Sequence, residues 1–110
     1  MKQLRFLVQG SATDPYVVTY EKDEDNLSAY CTCPAGANGQ YCKHRKSILQ
    51  GTTKGVVSNN VDDVQTAATW LEGTDVQAAW LELEHWEAEE KVVKAALSRA
   101  KRDFAAAMRD

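Results

Sequence analysis

The spacing of apolar residues changes along this chain, and each change marks an element. Residues 1–50 read as β-rich with one short helix. Residues 51–60 (GTTKGVVSNN) hold no period, because two glycines, Ser58, Asn59 and Asn60 break it. Val64, Ala67, Ala68 and Leu71 then share one side of a helix that Asn60 or Asp62 caps and Gly73 ends. Thr74 or Asp75 caps a second helix, which meets no proline or glycine for roughly 35 residues, far beyond the usual three turns. The pattern divides the chain into an N-terminal module at 1–50, a linker at 51–60 and a helical hairpin or coiled-coil region at 61–110.

Within the long helix the apolar repeat is 3.5 residues. Val76, Leu83, Glu90, Leu97 and Phe104 fall at heptad position a, and Ala79, Trp86, Val93, Ala100 and Ala107 at d. Only Glu90, at the centre of this seam, is polar. Such a repeat predicts a coiled coil or a long antiparallel helix pair, with Val76, Leu83, Trp86, Val93, Leu97 and Phe104 as its main assembly residues. The alternative is an amphipathic helix folded back on the chain's own Val64–Leu71 helix and on the N-terminal module.

Charge bears on that choice. From Glu72 to Glu90 the helix carries acids and no lysine or arginine; from Lys91 to Arg109 it carries bases opposed only by Asp103. This order suits the helix dipole and makes a parallel dimer repulsive at both ends. An antiparallel homodimer instead lays each acidic half along a basic half, bringing Leu83 near Ala100 of the second copy. A solvated charged face, needing no partner, accounts for the same residues.

Length keeps the remainder modest. At 110 residues and net charge −3, the chain is one small domain or a mini-domain with an appended helical segment, and it is no general polyanion binder. The longest unbroken apolar run is the five residues Phe104–Met108, which excludes a membrane-spanning helix. The start, MKQLRFLVQGS, lacks the apolar stretch of a secretory signal.

The chemistry is concentrated in one window. Cys31, Cys33, Cys42 and His44 form a C-x-C-x8-C-x-H array that contains every cysteine of the chain. Three thiolates and an imidazole complete a tetrahedral Zn²⁺ shell, whereas an odd number of cysteines cannot all pair in disulfides. Reduced, metal-bound thiols fit an intracellular compartment, cytoplasmic or nuclear. Residues i and i+2 of an extended segment face the same way, so Cys31 and Cys33 reach one metal from a strand. Pro34 stops that strand, and Gly36, Asn38 and Gly39 turn the chain back. Cys42 and His44 cannot both lie in a helix body, but they can converge if Cys42 stands at the mouth of a helix and His44 in its first turn. That helix runs through Arg45, Lys46, Ile48 and Leu49 to near Gly51, and its N-terminus favours the Cys42 thiolate.

CTCP at 31–34, Gly39 and CKHRKSIL at 42–49 resemble the SWIM-type zinc fingers, whose pattern is C-x-C-P, a variable loop with glycine, then C-K-H and an apolar helix. The likeness extends over about residues 3–50. It implies one structural Zn²⁺ per chain on Cys31, Cys33, Cys42 and His44. It also implies a small antiparallel hairpin ahead of the site, which Leu4–Val8 and Tyr16–Tyr20 supply, with Ala29–Cys31 leading into the metal. The expected fold is therefore α+β: a small β-hairpin and short helix around zinc, then a helical region with a long helix. Modules of this family occur in transposases, chromatin-remodelling ATPases, recombination mediators and ubiquitin-ligase-like proteins. They serve as DNA-binding or protein-interaction modules.

Lys43, Arg45 and Lys46 crowd the first turn of the zinc helix, where the dipole disfavours cations, and Lys54 follows. They either offset the net −1 of zinc with three thiolates or contact phosphate or a partner. The acidic half-helix must face away from any duplex, so a protein partner is the expectation and nucleic acid the alternative. His85 reads as a helix-surface residue and the three tryptophans as core or interface fillers. A four-ligand shell leaves no position for a reactive water, and no nucleophile–base pair or phosphate loop is present, so no enzyme is expected. The reading is a zinc-binding interaction protein in a nucleic-acid-related process. A DNA-binding accessory factor, or a small inhibitor or adaptor of a larger nucleic-acid enzyme, are the alternatives.

Overall fold

A computed structural model describes residues 1–109. Three strands, β1 (Lys2–Val8), β2 (Tyr16–Asp23) and β3 (Asn26–Cys31), precede four helices: α1 (Pro34–Ala37), α2 (Lys43–Leu49), α3 (Asp63–Trp70) and α4 (Asp75–Ala107). The fold class is α+β, as the sequence implies. The hairpin expected ahead of the site gains a third member, because Asn26–Cys31 pairs fully with β2 to make an antiparallel sheet of order β1-β2-β3. Glu24 and Asp25 form the tip between β2 and β3, and Glu24 takes a left-handed φ of 54° there.

Alternation decides which face is buried. Phe6 and Val8 of β1, Val18 and Tyr20 of β2, and Leu27 and Cys31 of β3 are buried at two-residue or four-residue intervals along their strands. Phe6 is paired with Val18, and Val18 with Cys31, so the row of apolar side chains leads straight across the sheet to the first cysteine. Phe6 and Tyr20 meet edge to face with centroids 6.1 Å apart. Ile48 and Leu49 of α2, with Val64, Ala67 and Trp70 of α3, complete the core.

Residues 51–60, expected as a linker, lie along the free edge of β1. Gln9 N donates to Gly55 O at 2.8 Å, and Val57 N to Leu7 O at 2.8 Å. Side chains continue what the backbone begins: Ser58 Oγ accepts from Leu7 N at 3.1 Å, and Asn60 Nδ2 donates to Arg5 O at 2.7 Å. An edge that would otherwise expose its polar backbone is thereby satisfied.

The start of α4 carries a capping arrangement. Thr74 Oγ1 accepts from Gln77 N at 3.2 Å, while Gln77 Oε1 accepts from Gly73 N at 2.9 Å, so threonine and glutamine satisfy free N–H groups reciprocally. Two compact units result, Met1–Gln77 and Ala78–Asp110. The second is helical, and α4 has no buried residue. Val76 is half-buried within the first unit, unlike the later seam residues. Among the described residues no helix is long and apolar enough to cross a membrane.

Candidate metal centre

Three elements, β3, α1 and α2, bring the ligands together. Cys31 ends β3 on the buried face of the sheet. Thr32 carries the pairing one step further: its N–H donates to Val17 O at 3.1 Å, and its Oγ1 accepts from Val17 N at 2.9 Å. This clamps the single residue that separates the first two cysteines. Cys33 is extended at φ −63°, ψ 160°, so the i, i+2 geometry expected of the pair holds.

Beyond it the chain makes one helical turn, α1, where Gly36, Asn38 and Gly39 predict only a turn. Pro34 occupies its first position, where a missing N–H costs nothing, and Cys33 Sγ accepts from Gly36 N at 3.3 Å in the role of a capping side chain. Gly36 is required for a different reason. A Cβ there would lie 2.6 Å from Cys31 O and 2.7 Å from Cys31 Cβ. After Gly39, at φ +70°, the chain returns to Cys42, extended at φ −136°, ψ 119° at the mouth of α2. His44 lies in the first turn of α2, as the spacing requires.

The four ligand atoms lie within 4.8 Å of one another. Cys33 Sγ is 3.4 Å from Cys42 Sγ, and His44 Nδ1 is 3.6 Å from Cys42 Sγ and 3.8 Å from Cys31 Sγ. A tetrahedron with Zn–S bonds of about 2.3 Å has edges of about 3.8 Å, so these separations fit one zinc ion. They do not fit a disulfide, whose sulfurs stand about 2.0 Å apart. All three cysteines are buried and His44 is half-buried, which suits a closed structural site.

Electrostatics single out Cys42. Burial raises its pKa, but the backbone N–H of Arg45, the thiols of Cys33 and Cys31, and the backbone N–H of His44 together hold it down at about 6. Those contacts favour the thiolate form of Cys42. Burial instead pushes the Cys31 thiol up to about 12. A divalent cation delivered to this group favours the thiolate form of the sulfurs that bind it.

Residues around the ligands fix them in place. Tyr16 packs against the His44 ring, with centroids 5.2 Å apart. Gly10 lies close over both, since a Cβ there would stand 2.5 Å from Tyr16 Cε2 and 3.5 Å from His44 Nε2. Arg45, counted in sequence among the partner-binding cations, is half-buried and points into the fold. Its Nη1 donates to Ala29 O of β3 at 3.2 Å, and its Nη2 to Gln40 O of the loop. Its guanidinium thus joins strand, loop and zinc helix. Lys46 Nζ stands 5.9 Å from the Tyr41 ring centroid, at the outer limit of a cation–π contact.

Lys43 and Lys54 line an open groove of about 730 Å³ whose walls include Cys33, Cys42 and His44. Tyr16, Tyr41 and Pro34 give it a largely apolar surface. The six assembly candidates are not part of this site: Val76 is half-buried in the first unit, and Leu83, Trp86, Val93, Leu97 and Phe104 are exposed along α4. Trp70 is a core residue, whereas Trp86 is 60% exposed with His85 beside it at 4.9 Å.

Residues 16–50 match the family model for the SWIM zinc finger. The match opens with the first residue of β2 and closes at the C-cap of α2, enclosing all four ligands. This segment is a SWIM zinc finger, and its Cys₃His cluster is a structural zinc site. No curated protein and no solved structure gives a match to the chain.

Proposed function

We propose that this chain is a non-enzymatic interaction protein whose SWIM zinc finger holds a groove in shape for a protein partner, within a nucleic-acid-related process. The observation that carries the reading is the groove itself. Its walls include Cys33, Cys42 and His44, so zinc holds that side of it in shape, and its apolar surface bears Tyr16, Tyr41 and Pro34. Aromatic and apolar groups inside a polar rim are what a protein contact buries. Two lysines and a net charge of −3 offer little to a polyanion. Four protein ligands occupy a tetrahedral zinc completely, which supports a structural role over catalysis. Buried free thiols suit a reducing, intracellular compartment.

A second reading, a DNA-binding accessory factor, draws on Lys43 and Lys54 in the same groove, with Lys46 beside Tyr41. One experiment separates the two. A photoreactive benzoylphenylalanine in place of the exposed Tyr41 is irradiated in cell extract, with and without nuclease, and a Cys33→Ser chain serves as control. A protein adduct that survives nuclease and disappears with Cys33→Ser supports the first reading. An adduct lost on nuclease treatment supports the second. Labelling indifferent to Cys33→Ser contradicts both.

A further inference from the structure

We infer that α4 pairs with α4 of a second copy, antiparallel and in one register, along the seam from Ala79 to Phe104. The inference is independent of what the groove binds. Its starting point is exposure: Trp86, Leu97 and Phe104 are 60%, 53% and 66% exposed, and no residue of α4 is buried. A three-turn helix tolerates such a surface, but α4 runs for 33 residues. What selects a second copy is the order of residues along the seam.

In an antiparallel pair, a positions meet d positions of the other chain. Centring the two-fold axis between Lys91 and Val92 sets Ala79 against Phe104, Leu83 against Ala100, and Trp86 against Leu97. The two bulkiest ring layers are thus relieved by a smaller side chain, and Leu83 has alanine opposite it. Parallel pairing in register does the reverse, stacking Phe104 on Phe104 and Trp86 on Trp86 while leaving a gap at the paired Ala79 and Ala100. Close packing favours layers of constant volume.

Charge selects the same arrangement. The acidic stretch Glu82–Glu90 comes to lie along the basic stretch Lys91–Arg102 of the other copy. On the flank, Glu87 comes beside Lys94 of the second copy, and the two-fold axis repeats the contact. Glu90 lies at the centre, opposite Val93, and already has an intrahelical partner in Lys94 at 3.2 Å. One flank is unfavourable, since Glu82 falls beside Asp103 of the second copy. That single conflict makes the register testable.

The full-length zinc-loaded protein is measured by sedimentation velocity across the micromolar range, alongside Leu97→Asp and Asp103→Lys. The wild-type chain should dimerise, Leu97→Asp should be monomeric with unchanged zinc content, and Asp103→Lys should associate about fivefold more tightly, because two repulsive flanks become attractive. Benzoylphenylalanine at Lys101 should crosslink to residues around Trp80–Glu82 of the second copy. A wild-type monomer at every concentration would overturn the inference and leave the seam to a different protein. Weaker association of Asp103→Lys, or crosslinks between the two copies' own 96–103 segments, would overturn the register.

Discussion

The hydroxyl of Tyr20, at the centre of the sheet, donates a 2.6 Å hydrogen bond to the carbonyl oxygen of Arg45 in the zinc helix. Tyr20 has no exposed surface, so this bond is shielded from water. It joins the middle strand to the helix that carries His44 and abuts Cys42, and the Arg45 side chain reaches back to Ala29 on the neighbouring strand. Sheet and metal helix are therefore held at two points by one residue, once through its backbone and once through its guanidinium.

Tyr20→Phe keeps the ring and its edge contact with Phe6 but leaves the Arg45 carbonyl without this donor. The expected cost is about 1–2 kcal/mol. In a first unit of this size, that lowers the melting temperature of the zinc-bound protein by about 5–10 °C, measurable by calorimetry. An unchanged melting temperature would show that the bond contributes nothing net.

The same hydroxyl gives the fold an alkaline limit. Burial holds it protonated well above the usual tyrosine range, the nearby Cys42 and Cys31 sulfurs add to the effect, and Arg45 opposes it. In the unfolded chain a tyrosine ionises near pH 10. Above that pH the folded state keeps a proton that the unfolded state has lost, so stability is full below about pH 10 and falls as pH rises. Urea midpoints taken between about pH 9 and pH 11 should decline for the wild type, and Tyr20→Phe should decline less steeply.

Arg45→Lys retains a charge but not the fork that spans Ala29 and Gln40. A lysine offers its donors from a single nitrogen and cannot hold two separated carbonyls in the same way. Zinc affinity, read by competition with a chromogenic chelator, should fall about tenfold for Arg45→Lys and further for Arg45→Ala, as when residues supporting a ligand are removed. Lys43→Ala, on the open side of α2, serves as the comparison and should leave affinity unchanged. Equal effects at 43 and 45 would refute the structural role given to Arg45.

Gly36→Ala tests the tightest approach in the site. The added methyl meets backbone and Cβ of Cys31 at 2.6–2.7 Å, so α1 or the end of β3 has to move. Either shift carries a ligand with it, and zinc affinity should fall by about tenfold or more. Gly39→Ala has open space around its Cβ and strains only the local φ of +70°, so it should cost less. A reversed ranking of the two variants would contradict the packing described for α1.

The ligand set was legible because its evidence is local: two cysteines at strand spacing, then a cysteine and a histidine at a helix entrance. The long helix α4 was legible for the same reason, since no proline or glycine follows Gly73. Three features left no local trace. Cys33 caps α1, but a thiol is not among the usual capping side chains, so CPAG reads as a turn rather than a helix. Ser58 and Asn60 bind backbone groups of Leu7 and Arg5 more than fifty residues away, and no periodicity encodes such pairing. Arg45 looks in sequence like one more cation beside Lys43 and Lys46. Only the positions of the Ala29 and Gln40 carbonyls, set by the fold, turn it inward.

Metal removal probes the organisation of the whole chain. Structural zinc contributes on the order of 10–16 kcal/mol in finger peptides near neutral pH, more than the stability of most small domains. Chelation should therefore abolish the tertiary signals of the Met1–Gln77 unit, while much of the helical circular dichroism of α4, which has no buried residue, persists. Parallel loss of both signals in one transition would show that α4 depends on the finger.

Native mass spectrometry of the purified protein reads zinc content and folded state together. One zinc ion per chain is expected, retained in the wild type and lost together with folded charge states in Cys33→Ser. A zinc-free wild-type chain with the same compact charge states and the same sheet signature would contradict that expectation.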